Sequence, residues 1–332
     1  MTSLALFRGR TAVPLGLVAG LPLMLVAACV LTALYEPRFL RAANLMNVLR
    51  NASFLSVISA GQMMVMIVGG FDISVGAVVA LTSVGTATAL VFLAGWGLSG
   101  IGLLVLGCLA GLVPALLVGL CNGLLVSVGR ISPFMVTIGT MSIASGLAAH
   151  FTGGSPIYGL PPFFLETLGN GRLAGVPGVV FFAAAVVLAL WYLQCQSRGG
   201  RYFNAVGGNE KAARQTGIDT RTYICAAYVI SALLAGLTGI LLTARVGSGE
   251  ATLGANLMLQ SISVAVIAGV SLKGGVGKVQ NIVLSSLFLS VLSNAMSLAR
   301  IDSKYHVIVF GVVVLIAVWA EARGTRAEGS DA

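Results

Sequence analysis

Charge is scarce in this sequence: only 9% of its 332 residues are Asp, Glu, Lys or Arg, against about 25% in a soluble domain. With 58% of residues apolar and a mean hydropathy of +1.00, a water-soluble globule is excluded. Acids are the scarcest, 10 Asp and Glu in all, and there are 2 histidines. So small and scattered a stock forms no cluster of nucleophile, base and metal ligands, which argues against a membrane-embedded enzyme. It argues equally against a secondary transporter or channel, which needs coupling-ion carboxylates or a charged ring in mid-membrane. Cysteine is sparse as well. Cys29, Cys108, Cys121, Cys195 and Cys225 lie in or beside apolar runs without pairing or ligand spacing, so they read as buried small hydrophobes, with no disulfide framework and no zinc site. No metal or cofactor is expected.

Long polar stretches are missing too, and apolar runs replace them. Candidate spans cover residues 13–34, 54–71, 73–94, 101–127, 133–151, 176–194, 223–244, 257–271, 279–298 and 307–319. Ten spans of about 20 residues use roughly 200. Residues 1–332 therefore hold one transmembrane domain, with no room for a fused ATPase. The fold class is all-α and polytopic. The 19 Lys and Arg are scattered, so their excess does not indicate nucleic acid. Alternating sides from an inner N-terminus puts twelve of them inside, among them Arg8, Arg10, Arg130, Lys211, Arg214, Lys273, Arg323 and Arg326. Seven fall outside: Arg38, Arg41, Arg50, Arg172, Arg245, Arg300 and Lys304. That asymmetry predicts both termini in the cytoplasm. Residues 36–53, with Phe39, Leu40, Leu45, Met46 and Leu49 at helical spacing, read as an amphipathic helix along the outer interface.

Two loops exceed connector length. Residues 152–175 form a turn-rich external loop. Residues 197–222 form the longest internal one, and it predicts a two-turn helix from about Glu210 to Thr216. There Gly207 and Gly208 break the chain, Asn209 caps, Glu210 suits the positive helix end, Arg214 pairs four residues on, and Gly217 closes the helix. Ala212 and Ala213 are small enough for close approach to a partner. Elsewhere Gly274-Gly275-Val276-Gly277-Lys278 invites a phosphate-loop reading, which fails because Leu272 and Val279 stand where a Walker A motif needs Gly and Ser or Thr. Energy must then come from another subunit, and this stretch reads as a basic internal turn.

Polar residues in or beside the spans are pathway or structural candidates. Asp72 and Ser74 lie in a Gly-rich turn between spans two and three, where capping of span three by Asp72 is favoured over solute contact. Gln62, Asn122 and Asn294 are uncharged amides with donors and acceptors, suited to a neutral polyhydroxylated solute or to interhelical bonds. Gln260, Ser261, Ser263 and Ser297 are weaker candidates.

Four segments carry a family resemblance: GGFDISVG (69–76), NGLLVSVGRISPFMVT (122–137) with GGSP (153–156), AVGGNEKAARQTGI (205–218) and SLKGGVG (271–277). Together, in this order over nearly the whole chain, they resemble the permease subunits of bacterial ribose-type ABC sugar importers. The third fills A-x-G-G-N-x-x-A-A-x-x-x-G-I through Ala205, Gly207, Gly208, Asn209, Ala212, Ala213, Gly217 and Ile218. The resemblance implies an ABC importer permease of the bacterial inner membrane whose internal loop couples to an ATP-binding subunit. It also implies a periplasmic solute-binding protein and a second permease subunit, identical or related. The implied cargo is a small neutral sugar or sugar-like solute such as a pentose, hexose or polyol. The alternative is a nucleoside or other polar solute. Where that family carries acids at the start of span eight, this chain has Met258 and Gln260, which departs from a ribose pattern.

Overall fold

The computed structural model describes residues 15–329 and is helical nearly throughout. Its elements are α1 (Leu15–Tyr35), a 3-10 turn (Pro37–Leu40), α2 (Ala42–Ile67), α3 (Val75–Gly95), α4 (Gly100–Ser127) and α5 (Pro133–Thr152). A one-turn α6 (Pro162–Phe164), a π-type turn (Leu165–Asn170) and a hairpin of β1 (Arg172–Leu173) and β2 (Val176–Pro177) follow. Then come α7 (Gly178–Gln196), α8 (Arg198–Gly208), α9 (Glu210–Gln215), α10 (Thr220–Val246), α11 (Leu257–Ile267), α12 (Val279–Leu298) and α13 (Ser303–Gly329). Helices dominate because apolar segments in lipid must satisfy their backbone groups internally. Arg8 and Arg10, counted above as internal, lie outside the described residues.

Six helices among the described residues are long and apolar enough to cross a membrane: α3, α4, α5, α7, α10 and α12. Shorter apolar stretches lie in α1, α11 and α13. The helix at the centre is a different one. α2 packs against α7, α10, α11 and α12, and every residue from Ala52 to Ile67 is buried. Because protein rather than lipid surrounds it, α2 can carry Ser53, Ser56, Ser59 and Gln62 on faces that a lipid-exposed helix would keep apolar. By contrast only 17% of the most apolar stretch of α7 and 22% of that of α4 is buried, which puts both at the periphery. α4 turns one stripe inward: Gly107, Gly111, Ala115, Gly119 and Gly123, spaced by four, let it press closely on α3 and α10.

Three readings change. Residues 36–53 form no separate interfacial helix; after the 3-10 turn, α2 starts at Ala42 and runs without a break into the core, burying Val48 and Arg50. The pair Gly207-Gly208 does not break the chain but ends an 11-residue helix, α8. All five cysteines are free, yet none is buried, and Cys121 and Cys195 are exposed on helix faces.

The connections sort to two ends. The α2–α3 and α4–α5 turns meet α9 around one cavity, and the turn at residues 271–278 joins them there. The start of α2, the β-hairpin and the end of α10 share a cavity at the other end, where an isolated bridge pairs Ile157 with Gly249.

Candidate functional site

Three of the segments singled out in the sequence converge at the first end. α8 begins at a capped turn, with Ser197 Oγ accepting from Gly200 N at 3.0 Å, and its last turn lies across the end of α2. Gly275 N donates to the Ile67 carbonyl at 2.7 Å. Gly207 lies so close to this bond that a Cβ there would overlap the Ile67 oxygen and stand 2.7 Å from Gly275 N. Gly274 and Gly275 have φ of 89° and 82°, which L side chains rarely adopt. The α2–α3 turn, the end of α8 and the 271–277 turn are thus locked backbone to backbone.

α9 is seated on this junction, built as its residues predict. Asn209 Oδ1 accepts from Ala212 N at 3.0 Å. Arg214 Nη2 reaches Glu210 Oε1 at 2.8 Å, and the Thr220 hydroxyl joins both. Gly217, φ 86°, closes the helix. An exposed pair of this kind contributes about 0–1 kcal/mol, but its link to Thr220 pins α9 to the start of α10. Gly208, Asn209, Glu210, Lys211, Ala212 and Gly217 are exposed, whereas Ala213 is 5% exposed and belongs to the core. The two alanines therefore point different ways. Beside α9 opens a cavity of about 700 Å³ lined by Gly69, Gly70, Arg130, Lys211 and Arg214 among others.

Asp72 is fully buried just behind this end. Its Oδ1 accepts from Ser74 N at 2.9 Å and Ser74 Oγ at 2.6 Å, and its Oδ2 from Ser231 Oγ at 3.4 Å. Asn122 Nδ2 donates to Ser74 Oγ at 3.0 Å, and Thr140 Oγ1 to Asn122 Oδ1 at 2.7 Å. One buried network thereby ties the start of α3 to α4, α5 and α10; the N-cap position of α3 is Ser74, and Asp72 bonds that residue rather than an N–H within the helix. Asn294 is likewise engaged: it and Asn44 exchange amide hydrogen bonds of 2.8 and 2.9 Å between α12 and α2. Ser261 and Ser263 donate to carbonyls of their own helix. Gln62 stands apart, fully buried with neither Oε1 nor Nε2 partnered.

Residues 44–318 match the family described as branched-chain amino acid transport system / permease component. The chain belongs to this permease family. Among curated proteins it is similar to the ribose import permease protein RbsC of Bacillus subtilis (strain 168), 34% identical over 290 residues, covering 87% of this chain and 88% of that protein. It is also similar to two permeases of Escherichia coli (strain K12). The D-allose transport system permease protein AlsC is 29% identical over 296 residues, 89% of this chain and 88% of that one. The galactose/methyl galactoside import permease protein MglC is 30% identical over 318 residues, 90% of this chain and 92% of that one. No solved structure matches. With its six long apolar helices the permease is a multi-pass protein of the bacterial inner membrane.

In the permease, Asp72, Ser74 and Asn122 come together, Gly207 to Ala213 lie at the junction that seats α9, and Asn294 is remote from both. Sequence reading missed the companions of Gln62. On α2, positions 51, 54, 55, 58, 59 and 62 form one face; on α12, positions 282, 285, 286, 289, 290 and 293 form another. Positions 51, 54, 55, 289, 290 and 293 of these faces, with Gln260 and Phe310, line a cavity of about 230 Å³. Below it Ser59, Ser285 and Ser286 are buried without partners, as Gln62 is. Their signal was faint, because serine in an apolar helix usually bonds its own backbone.

Proposed function

We propose that the permease is the membrane subunit of an ATP-driven importer that carries a small sugar or sugar-like solute into the cytoplasm. The observation that carries this reading is α9: a short, capped, exposed helix fixed on the backbone junction of α2, α8 and the 271–277 turn. A platform so rigidly tied to the core helix can pass movement from a cytoplasmic partner into the bundle. Similarity to the ribose, allose and galactose permeases supports sugar as cargo. The partners are an ATP-binding subunit, a periplasmic solute-binding protein and a second permease subunit, with the bilayer around them. ATP hydrolysis lies in the separate subunit.

The test is uptake into proteoliposomes holding the permease with its co-purified ATP-binding subunit and binding protein. Uptake should require ATP. Uptake driven by a proton or sodium gradient alone would replace this reading with the secondary-transporter one.

The proposed topology is ten spans, α1, α2, α3, α4, α5, α7, α10, α11, α12 and α13, within one domain and with both termini inside. The distribution of Lys and Arg over the loops, twelve on the α9 side against seven on the other, supports it, since basic residues favour the cytoplasm. Reporter fusions after Arg130, Gly208 and Arg323 should read as cytoplasmic, and one at Gly154 as periplasmic. A cytoplasmic signal at Gly154 defeats the ladder.

A further inference from the structure

The end of the permease opposite α9 carries a concentration of positive charge that no acidic side chain among the described residues pairs with. A cleft of about 750 Å³ opens between the start of α2, the β-hairpin and the end of α10, lined by Arg50, Arg172 and Arg245 and by no acidic side chain. Gly169 helps to build it. A Cβ there would overlap the Ala244 carbonyl, so the π-type turn lies directly on the end of α10 and carries the hairpin over Arg245. Arg172 and Arg245 are exposed, and both are near enough to act on Arg50 electrostatically. Arg50 is 7% exposed, and its Nε is buried without a hydrogen-bond partner. Among the described residues none of the three arginines joins an ion pair.

Burying a guanidinium beside two like charges, with a donor unmet, is costly. Such groups persist where a ligand completes them. What completes this one is an oxyanion, since the guanidinium fork matches carboxylate and phosphate oxygens. Placement argues for a small solute over a docked protein, because the most deeply set arginine is at the base of the cleft. A second, separate cavity lies close by in the chain: Asn51, which follows Arg50 on α2, and Leu242, three residues before Arg245 on α10, line it with Gln260, Ser290 and Ser293. No carboxylate lines that cavity either, and Met258 and Gln260 leave the start of α11 neutral. Beneath it lie the unpartnered Gln62, Ser59, Ser285 and Ser286. Arginines in the one cavity and hydroxyl-binding groups in the neighbouring one fit a solute with an acidic head and a polyhydroxylated body.

The geometry points to the three-arginine cleft as the recognition site for the anionic group of a sugar acid or sugar phosphate. This rests on the importer reading and narrows its cargo, replacing the neutral solute expected from the uncharged amides alone.

The full-length permease in phosphatidylcholine nanodiscs should be titrated with glucuronate, glucose and inorganic phosphate, following melting temperature and bound ligand. Glucuronate should bind at least about tenfold more tightly than glucose, and phosphate should compete with it. R50Q and R245Q should each weaken glucuronate about tenfold, while K211Q, at the opposite end, should not. Without ligand R50Q should melt no lower than the parent, because it removes an unpaired buried charge; that separates lost binding from lost folding. Equal binding of glucose and glucuronate, or unchanged glucuronate binding in R50Q, overturns the proposal. So does a stabilisation seen only in phosphatidylglycerol nanodiscs, which would assign the cleft to a lipid headgroup. Failure of ATP-driven uptake with glucuronate binding intact would instead strike the importer reading.

Discussion

Gly207→Ala is expected to abolish the stable fold of the α9 end, while Gly208→Ala, one residue along, leaves it intact. The two glycines are indistinguishable in the sequence, and the structure separates them. A methyl at 207 would run into the Ile67 carbonyl and the Gly275 amide, which are bonded to each other at 2.7 Å. Nothing lies within 4 Å of a Cβ at 208. Overpacking costs about 1–3 kcal/mol when side chains can shift. Here the atoms struck are backbone on two other segments, so the cost should reach about 3 kcal/mol or more, at the upper end of that range. Gly208→Ala should change stability by less than about 1 kcal/mol, and in its favour if anything, since alanine is the better helix former. Thermal unfolding of both purified variants in one detergent decides the matter. Equal melting temperatures would mean that the junction is not the rigid seat of α9 described here.

How much of this was legible beforehand depends on which physical signal each feature leaves. Helices facing lipid announce themselves by unbroken apolarity, and the candidate spans fall where helices are found. α9 was legible to within a residue, Gln215 rather than Thr216 ending it, because capping, first-turn charge and a closing glycine are local rules, and Asn209, Glu210, Arg214 and Gly217 obey them. α2 was misjudged at its start because burial against protein removes the need for an apolar surface, so a continuous helix looked like an interfacial segment followed by a span. The split between Ala212 and Ala213 was invisible for the same reason: which side of a short helix meets its own chain is a tertiary fact. The arginine cleft was beyond reach. Arg50, Arg172 and Arg245 are separated by long stretches of sequence and stood in a count of external charges, where nothing suggested that they meet.

The tryptophan scan of α9 follows from that split. Bulk at Ala213 and bulk at Ala212 should fail in opposite ways, although the residues are neighbours. Ala213 is 5% exposed and lies in the core cluster that includes Val206 and Phe203 of α8 and Ile224 of α10. Ala213→Trp must therefore force apart packed elements of the permease itself, at a cost of about 1–3 kcal/mol or more, and should lower its melting temperature before any partner is added. Ala212 is exposed on the free face of the same helix. Ala212→Trp should leave the isolated permease as stable as the parent, because surface substitutions away from special features stay within about 0.5 kcal/mol. If that face seats in a groove of the ATP-binding subunit, the indole will not fit, and co-purification of the two should be lost or ATP hydrolysis should proceed without uptake. Replacing Lys211 should cost little on either measure, as exposed charges contribute only about 0–1 kcal/mol. An Ala212→Trp permease that assembles and transports like the parent would reduce α9 to a solvated connector, and the coupling surface would have to be sought around Arg130 and the cavity beside it.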